Sequence, residues 1–150
     1  MGFSHLDDEG RLCMVDVSEK PDHVRTALAQ GSIALALETI EAIRKQQVVK
    51  GEVLAAARLA GIQAAKRTSE LIPLCHNLPL THVDIGFEIG TDAITVTSRA
   101  KSVGKTGVEM EALTAVSVAL LTIYDMCKAV DKGMVLREIR LVAKEKREMP

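Results

Sequence analysis

"THVDIGFEIGTDAITVTSRAKS", at positions 81–102, decides the fold class. Its first half alternates: Val83, Ile85, Phe87 and Ile89 share one face, and His82, Asp84 and Glu88 share the other. Its second half repeats the pattern, with Ile94, Val96 and Ser98 set against Thr95, Thr97 and Arg99. Successive side chains on a strand point to opposite faces, so each half reads as a strand with one apolar side. "GTD" between them reads as a short hairpin turn. The pair is therefore antiparallel, with one packed face and one wetter face.

The flanking segments mix helix and strand. Upstream, "LIPLCHNLPL" (71–80) holds two prolines and reads as irregular or extended chain. "EVLAAARLAGIQAAKRTSEL" (52–71) is an Ala-rich helix with Gly61 as its weak point. "ALETIEAIRKQQ" (36–47) is an amphipathic helix, and "VVKGEV" is a break around Gly51. "VRTALAQGSIAL" (24–35) alternates and then runs apolar, as a strand passing into a helix would. "MVDVS" (14–18) reads as a short strand, after a polar and mobile first dozen residues. Downstream, "TGVE" (106–109) has the form of a capping box, with Thr106 as N-cap and Glu109 three residues on. The helix it opens extends to about Val130. "MVLREIRLVAKE" (134–145) is a last strand, and residues 144–150 form a charged tail. Without a regular βαβ rhythm, this order predicts one α+β domain, an antiparallel sheet packed against helices.

Composition narrows the function. Aromatics are 2% of 150 residues, too few for base-stacking platforms, and the net charge of −1 gives no basic field for nucleic acid. No apolar h-region is read near the N-terminus, so a secretory signal is not expected. The longest uncharged stretch, Ala112 to Tyr124, is too short to span a bilayer. Cys13, Cys75 and Cys127 are odd in number and widely spaced, which argues against a disulfide framework and for a reducing cytoplasm. The helix after Val108 carries Leu113, Val116, Leu120, Ile123 and Cys127 on one stripe, with Val118, Leu121 and Met126 elsewhere. One sheet covers one side of such a helix, so a homo-oligomer is expected to cover the rest.

Asp125 and Lys128 are three residues apart and share a helix face. Spacing alone admits a partly buried ion pair or a catalytic pair. Glu111 lies fourteen residues before Asp125, nearly the same side, and Thr114 and Thr122 fall close to it. That polar stripe reads as a pocket wall or as a wet groove between subunits. "GKTG" (104–107) lacks the glycine a phosphate loop needs, because position 99 is Arg99. "CHN" (75–77) does not make a nucleophile–base dyad, since adjacent extended residues point apart. With no C-x-x-C, a zinc site is not expected. His76 is either an anion or proton contact or a loop histidine bonded to backbone. Arg25, Lys50, Lys66, Arg67, His76, Lys105 and Lys128 could together neutralise a polyphosphate.

"KGEVLAAARLAGIQAAKRTSELIPLCHNLPL" and "GKTGVEMEALTAVSVALLTIYDMCKAVDKGM" strongly resemble the cyclic pyranopterin monophosphate synthase family of molybdenum-cofactor biosynthesis, and "MVDVSEK" fits as well. The likeness covers roughly residues 14 to 143. It implies a ferredoxin-like sandwich and a hexamer built as a trimer of dimers, with sites at subunit interfaces. It implies conversion of 3′,8-cyclo-7,8-dihydro-GTP, supplied by an upstream radical SAM enzyme, to cyclic pyranopterin monophosphate with release of pyrophosphate. No metal or redox cofactor is expected in that step. By the resemblance, Asp125, Lys128 and Lys50 are the catalytic groups. Leu74, Cys75, His76, Glu109, Met110 and Glu111 are substrate contacts, joined by the basic positions Arg25, Lys66 and Arg67. Asn77 and Glu52 depart from the family's usual proline and aspartate.

Overall fold

The computed structural model describes residues 2–46 and 52–150. β1 (His23–Ala34) leads to α1 (Leu37–Arg44), α2 (Val53–Lys66) and a single turn, α3 (Thr68–Leu71). β2 (Leu80–Ile89), β3 (Ala93–Gly104), α4 (Glu109–Cys127) and β4 (Val135–Arg147) follow. The sheet order is β2-β3-β1-β4 with every pair antiparallel. That is the βαββαβ arrangement of a ferredoxin-like sandwich, as expected.

The β2–β3 hairpin forms as its alternation requires. Ile89 pairs with Ile94, and the Gly90 N–H donates to the Ala93 carbonyl at 2.8 Å. Ile85, Ile94, Val96, Ser98 and Ala100 are buried under the helices, while Asp84 and Arg99 stay on the open face. Ser98 buries its hydroxyl by donating to the Ala112 carbonyl of α4 at 2.6 Å.

Several local expectations are corrected. Residues 24–34 are strand throughout, because β1 is central and Gly31, Ser32 and Ile33 are all buried between its neighbours. Residues 14–18 form no strand; they run as irregular chain. The helix from 52 breaks at Arg67, where the buried Thr68 hydroxyl turns back to the carbonyls of Ala64 and Ala65. Thr106 does not cap α4: the N-cap is Val108, with no side-chain cap bond. Helix α4 stops at Cys127, whose carbonyl accepts the N–H groups of Val130 and Asp131 at 3.0 Å each. The expected charged tail is β4 as far as Arg147, which pairs with Val24.

Helix α4 is long and apolar enough to cross a membrane by length and composition, but its apolarity is that of a core helix. Ala112, Ala115, Val116, Ala119, Leu120 and Ile123 are fully buried between the sheet and α2. Small residues permit the close packing. A Cβ on Gly31 would meet Leu120 and Val116 of α4, and one on Gly61 would meet Ile85 and the Ala115 carbonyl. Gly61 is thus a packing point rather than a weak one. Where β4 passes Gly31 the ladder shifts register, and Glu138 takes a left-handed φ of 57°. That conformation costs a non-glycine residue about 1–3 kcal/mol.

Gly61→Ala is expected to destabilise the chain by about 1–3 kcal/mol through overpacking, although alanine is the better helix former. Thermal denaturation of the two proteins checks this; an unchanged or raised melting temperature would contradict the close approach.

Candidate functional site

The loop after α3 and the start of α4 build one cavity of about 160 Å³, lined by His5, Leu74, Cys75, His76, Leu78, Thr106, Gly107, Glu109, Met110 and Glu111. Pro73 and Pro79 hold the loop out of regular structure, so that residues 74–76 face the first turn of α4. Leu74, Cys75, His76, Glu109, Met110 and Glu111 were all expected at the site, and they come together here. His5, Leu78 and Gly107 were missed as contacts, and nothing in their local sequence marks them. Gly107 lies against the Glu109 carboxylate, whose flexible end would have to shift for any Cβ at 107.

The cavity is acidic and partly dry. Glu111 is only 4% exposed. Burial, reinforced by the charge on Glu109, pushes its carboxyl above the ordinary range, while its own backbone N–H works the other way. Burial and the Glu111 charge also raise the Cys75 thiol, which therefore stays protonated and a poor nucleophile. Glu109 is paired with Lys144 of β4 at 3.3 Å.

An N-terminal strap lies beside the cavity and occupies its basic groups. His76 Nε2 is 2.6 Å from the Val15 carbonyl. Lys105 Nζ donates to the carbonyls of Ser18 at 3.1 Å and Lys20 at 2.7 Å. Arg25 donates to the backbone carbonyls of Lys105 at 3.0 Å and Gly104 at 3.5 Å, so it braces the turn before α4. Lys66 and Arg67 are exposed where α2 ends.

Asp125 and Lys128 are elsewhere. Their salt bridge is 2.6 Å, and each side chain is 58% exposed. Of the two readings the spacing admitted, the partly buried ion pair does not hold for the single chain. The hydrogen bond and charge of Asp125 raise the Lys128 pKa above its ordinary value, so the ammonium is held protonated. Along α4 the rise from Glu111 to Asp125 is about 21 Å, fourteen residues at 1.5 Å each. The polar stripe is not one pocket wall within a chain: Glu111 lines the cavity, Asp125 stands about 21 Å along the helix, and Thr122 between them donates to the Val118 carbonyl at 2.7 Å. Lys50 lies outside the described residues. Asp131 closes the turn after Lys128: buried, it accepts from the N–H groups of Ala36 at 2.7 Å and Gly133 at 3.1 Å. Desolvation opposes its charge, but those bonds and the Thr39 hydroxyl hold its carboxyl low.

These features define an α+β protein with an acidic, base-sized cavity at one end of a core helix and a lysine–aspartate pair at the other. The MoaC family model matches residues 14–147, and the chain belongs to the MoaC family. The cyclic pyranopterin monophosphate synthase of Heliobacterium modesticaldum is 58% identical over 144 residues, covering 95% of this chain and 91% of that protein. The synthase of Peptoclostridium acidaminophilum is 55% identical, covering 96% and 92%. A molybdenum cofactor biosynthesis bifunctional protein of Chlorobaculum tepidum is 58% identical over 141 residues, 45% of its own length. The chain has a role in molybdenum cofactor biosynthesis and is an enzyme of the lyase class.

Glu111→Gln gives a signed pH test. A carboxyl whose folded pKa is raised keeps its proton in the native state after the unfolded chain has lost it, so stability falls as pH rises through that window. The glutamine variant lacks this loss. Its melting temperature is expected to exceed wild type at neutral pH and to converge with it in acid. Parallel curves across pH would contradict the shift.

Proposed function

We propose that the chain converts 3′,8-cyclo-7,8-dihydro-GTP to cyclic pyranopterin monophosphate and pyrophosphate. The observation that carries this reading is the acidic cavity beside a strap-held set of cations. Glu109 and Glu111 offer acceptors for the N–H edge of a guanine-derived ring, and Leu74, Leu78 and Met110 supply apolar walls. A triphosphate would be repelled from the Glu109 carboxylate. It suits His76 and Lys105, once anion oxygens replace the strap carbonyls as acceptors, with the exposed Lys66 and Arg67 at the end of α2 as further cations.

About 160 Å³ is smaller than the ~300 Å³ at which ligand sites usually begin, so one chain offers a partial site. Asp125 and Lys128 are too far along α4 to reach a ring held at Glu111. A second copy that lays its α4 C-terminus over the cavity would complete the site. The exposure of Leu121 and Tyr124 on α4, and of Met110 at the cavity rim, supports such an assembly, with a hexamer of three dimers as the implied form. In it, Lys128, its ammonium stabilised by the Asp125 carboxylate, acts as a general acid or base during ring opening and closure. Lys50 is the second proton-transfer group. The radical SAM enzyme supplies the substrate, and the three free thiols suit a cytoplasmic setting.

The test is an assay of the purified chain with the cyclised dihydro-GTP, reading pyrophosphate and the cyclic pterin phosphate together. Wild type is expected to yield both. Lys128→Ala removes an exposed pair of little stabilising value, so it should fold normally and lose about 10²–10⁴-fold in turnover. No product from folded wild type would overturn the reading.

A further inference from the structure

The open face of the sheet carries a second polar cavity that shares no residue with the first. Its volume is about 270 Å³, and Gln30, Ser32, Thr95, Arg137, Glu138 and Arg140 supply its side chains. The register explains the gathering. Ser32 pairs with Thr95 on one side and Arg137 on the other, and Gln30 pairs with Thr97 and Arg140. Gly31 and Ile139 turn toward Val116 and Leu120 of α4, so the residues alternating with Gly31 belong to the face away from the helices.

The β-bulge sets the two arginines together. The ladder shifts between Gln30 and Ser32, so Glu138 and Ile139 fit between Arg137 and Arg140 while both arginines keep partners on the same face of β1. The left-handed Glu138 is part of this irregularity. Among the described residues, no carboxylate stands within 4.0 Å of either guanidinium, and Glu138 itself forms no ion pair with them. Gln30 fixes its amide by donating to Thr97 Oγ1 at 3.2 Å, and Ser32 is buried. The open face thus holds two guanidiniums without a paired carboxylate among the described residues, a hydroxyl from Thr95 beside them, and a space between.

We propose that this cavity is an anion site for a small phosphoryl compound of pyrophosphate size. Arg137 and Arg140 would each present a planar fork to phosphate oxygens, the geometry in which arginine outperforms lysine. Thr95 would donate a further bond. The space is below the range of nucleotide-sized pockets and takes a phosphate or pyrophosphate group, free or as the tail of a larger molecule. The proposal stands apart from the reading of the acidic cavity: neither Glu111 nor Lys128 takes part.

Isothermal titration of the full chain with inorganic pyrophosphate, inorganic phosphate and GTP tests it, with wild type, His76→Ala and the double variant Arg137→Gln/Arg140→Gln. Both arginines are exposed on an edge strand, so the double variant should fold. Saturable pyrophosphate binding is expected in wild type and in His76→Ala. It should weaken at least tenfold in the double variant, equal to about 1.4 kcal/mol, and fall with salt. Tighter GTP than pyrophosphate binding, still lost in the double variant, would assign the site to a nucleotide tail. Binding unchanged by the arginine variant, or lost in His76→Ala alone, would overturn the proposal. So would absence of saturable binding in wild type. If the double variant fails to fold, the arginine Nε–H resonances of wild type give the same answer: shifts at Arg137 and Arg140 support the site, and their absence overturns it.

Discussion

Everything in this chain is arranged around the close packing of α4 between the sheet and α2. That packing is possible because the contact is made by small groups: Gly31 below the helix, Gly61 beside it, and Ala112, Ala115 and Ala119 on the helix itself. Apolar burial at the scale of a 150-residue domain supplies the drive, and the missing side chains let backbones approach closely enough to use it. A closely packed helix then fixes what stands at its two ends. Its first turn meets the proline-bounded loop and forms the acidic cavity. Its last turn projects Asp125 and Lys128 into solvent and is locked by Asp131 to the start of α1.

The two ends are electrostatically distinct. At the first turn, burial favours neutral forms of Glu111 and Cys75. At the last turn, an exposed ion pair favours the charged form of Lys128. One environment suits recognition of a neutral, hydrogen-bonding ring, and the other holds a cation in place. A single copy cannot use both on one small molecule, because the helix that orders them also keeps them about 21 Å apart. Association of copies resolves the conflict, and the apolar residues left uncovered on α4 give it a surface.

Much of this was legible in the sequence. The alternation at 81–102 announced the hairpin, and the hairpin with a long apolar helix announced an α+β sandwich. Local clusters were readable too: Leu74 to His76 and Glu109 to Glu111 are neighbours in sequence and meet in the cavity. What escaped were contacts set by tertiary structure. β1 looked half helical because a central strand shows burial on consecutive residues. Thr106 had capping-box spacing, but the turn before α4 is held by Arg25 from β1 instead. The strap carbonyls on His76 and Lys105 come from residues as far as 87 positions away, where no periodicity reaches. The face argument placed Glu111 and Asp125 on one side of α4, which holds in angle, but a shared angle is not a shared pocket.

The most direct test of the account mixes two variants, each inactive alone, one with Lys128→Ala and one with His76→Ala, after dissociation and reassembly. If the cavity of one copy works with the α4 C-terminus of another, mixed assemblies contain sites with both groups intact, and turnover returns. If co-assembled variants remain inactive, the two ends of α4 do not meet across copies, and the division of the site described here is wrong.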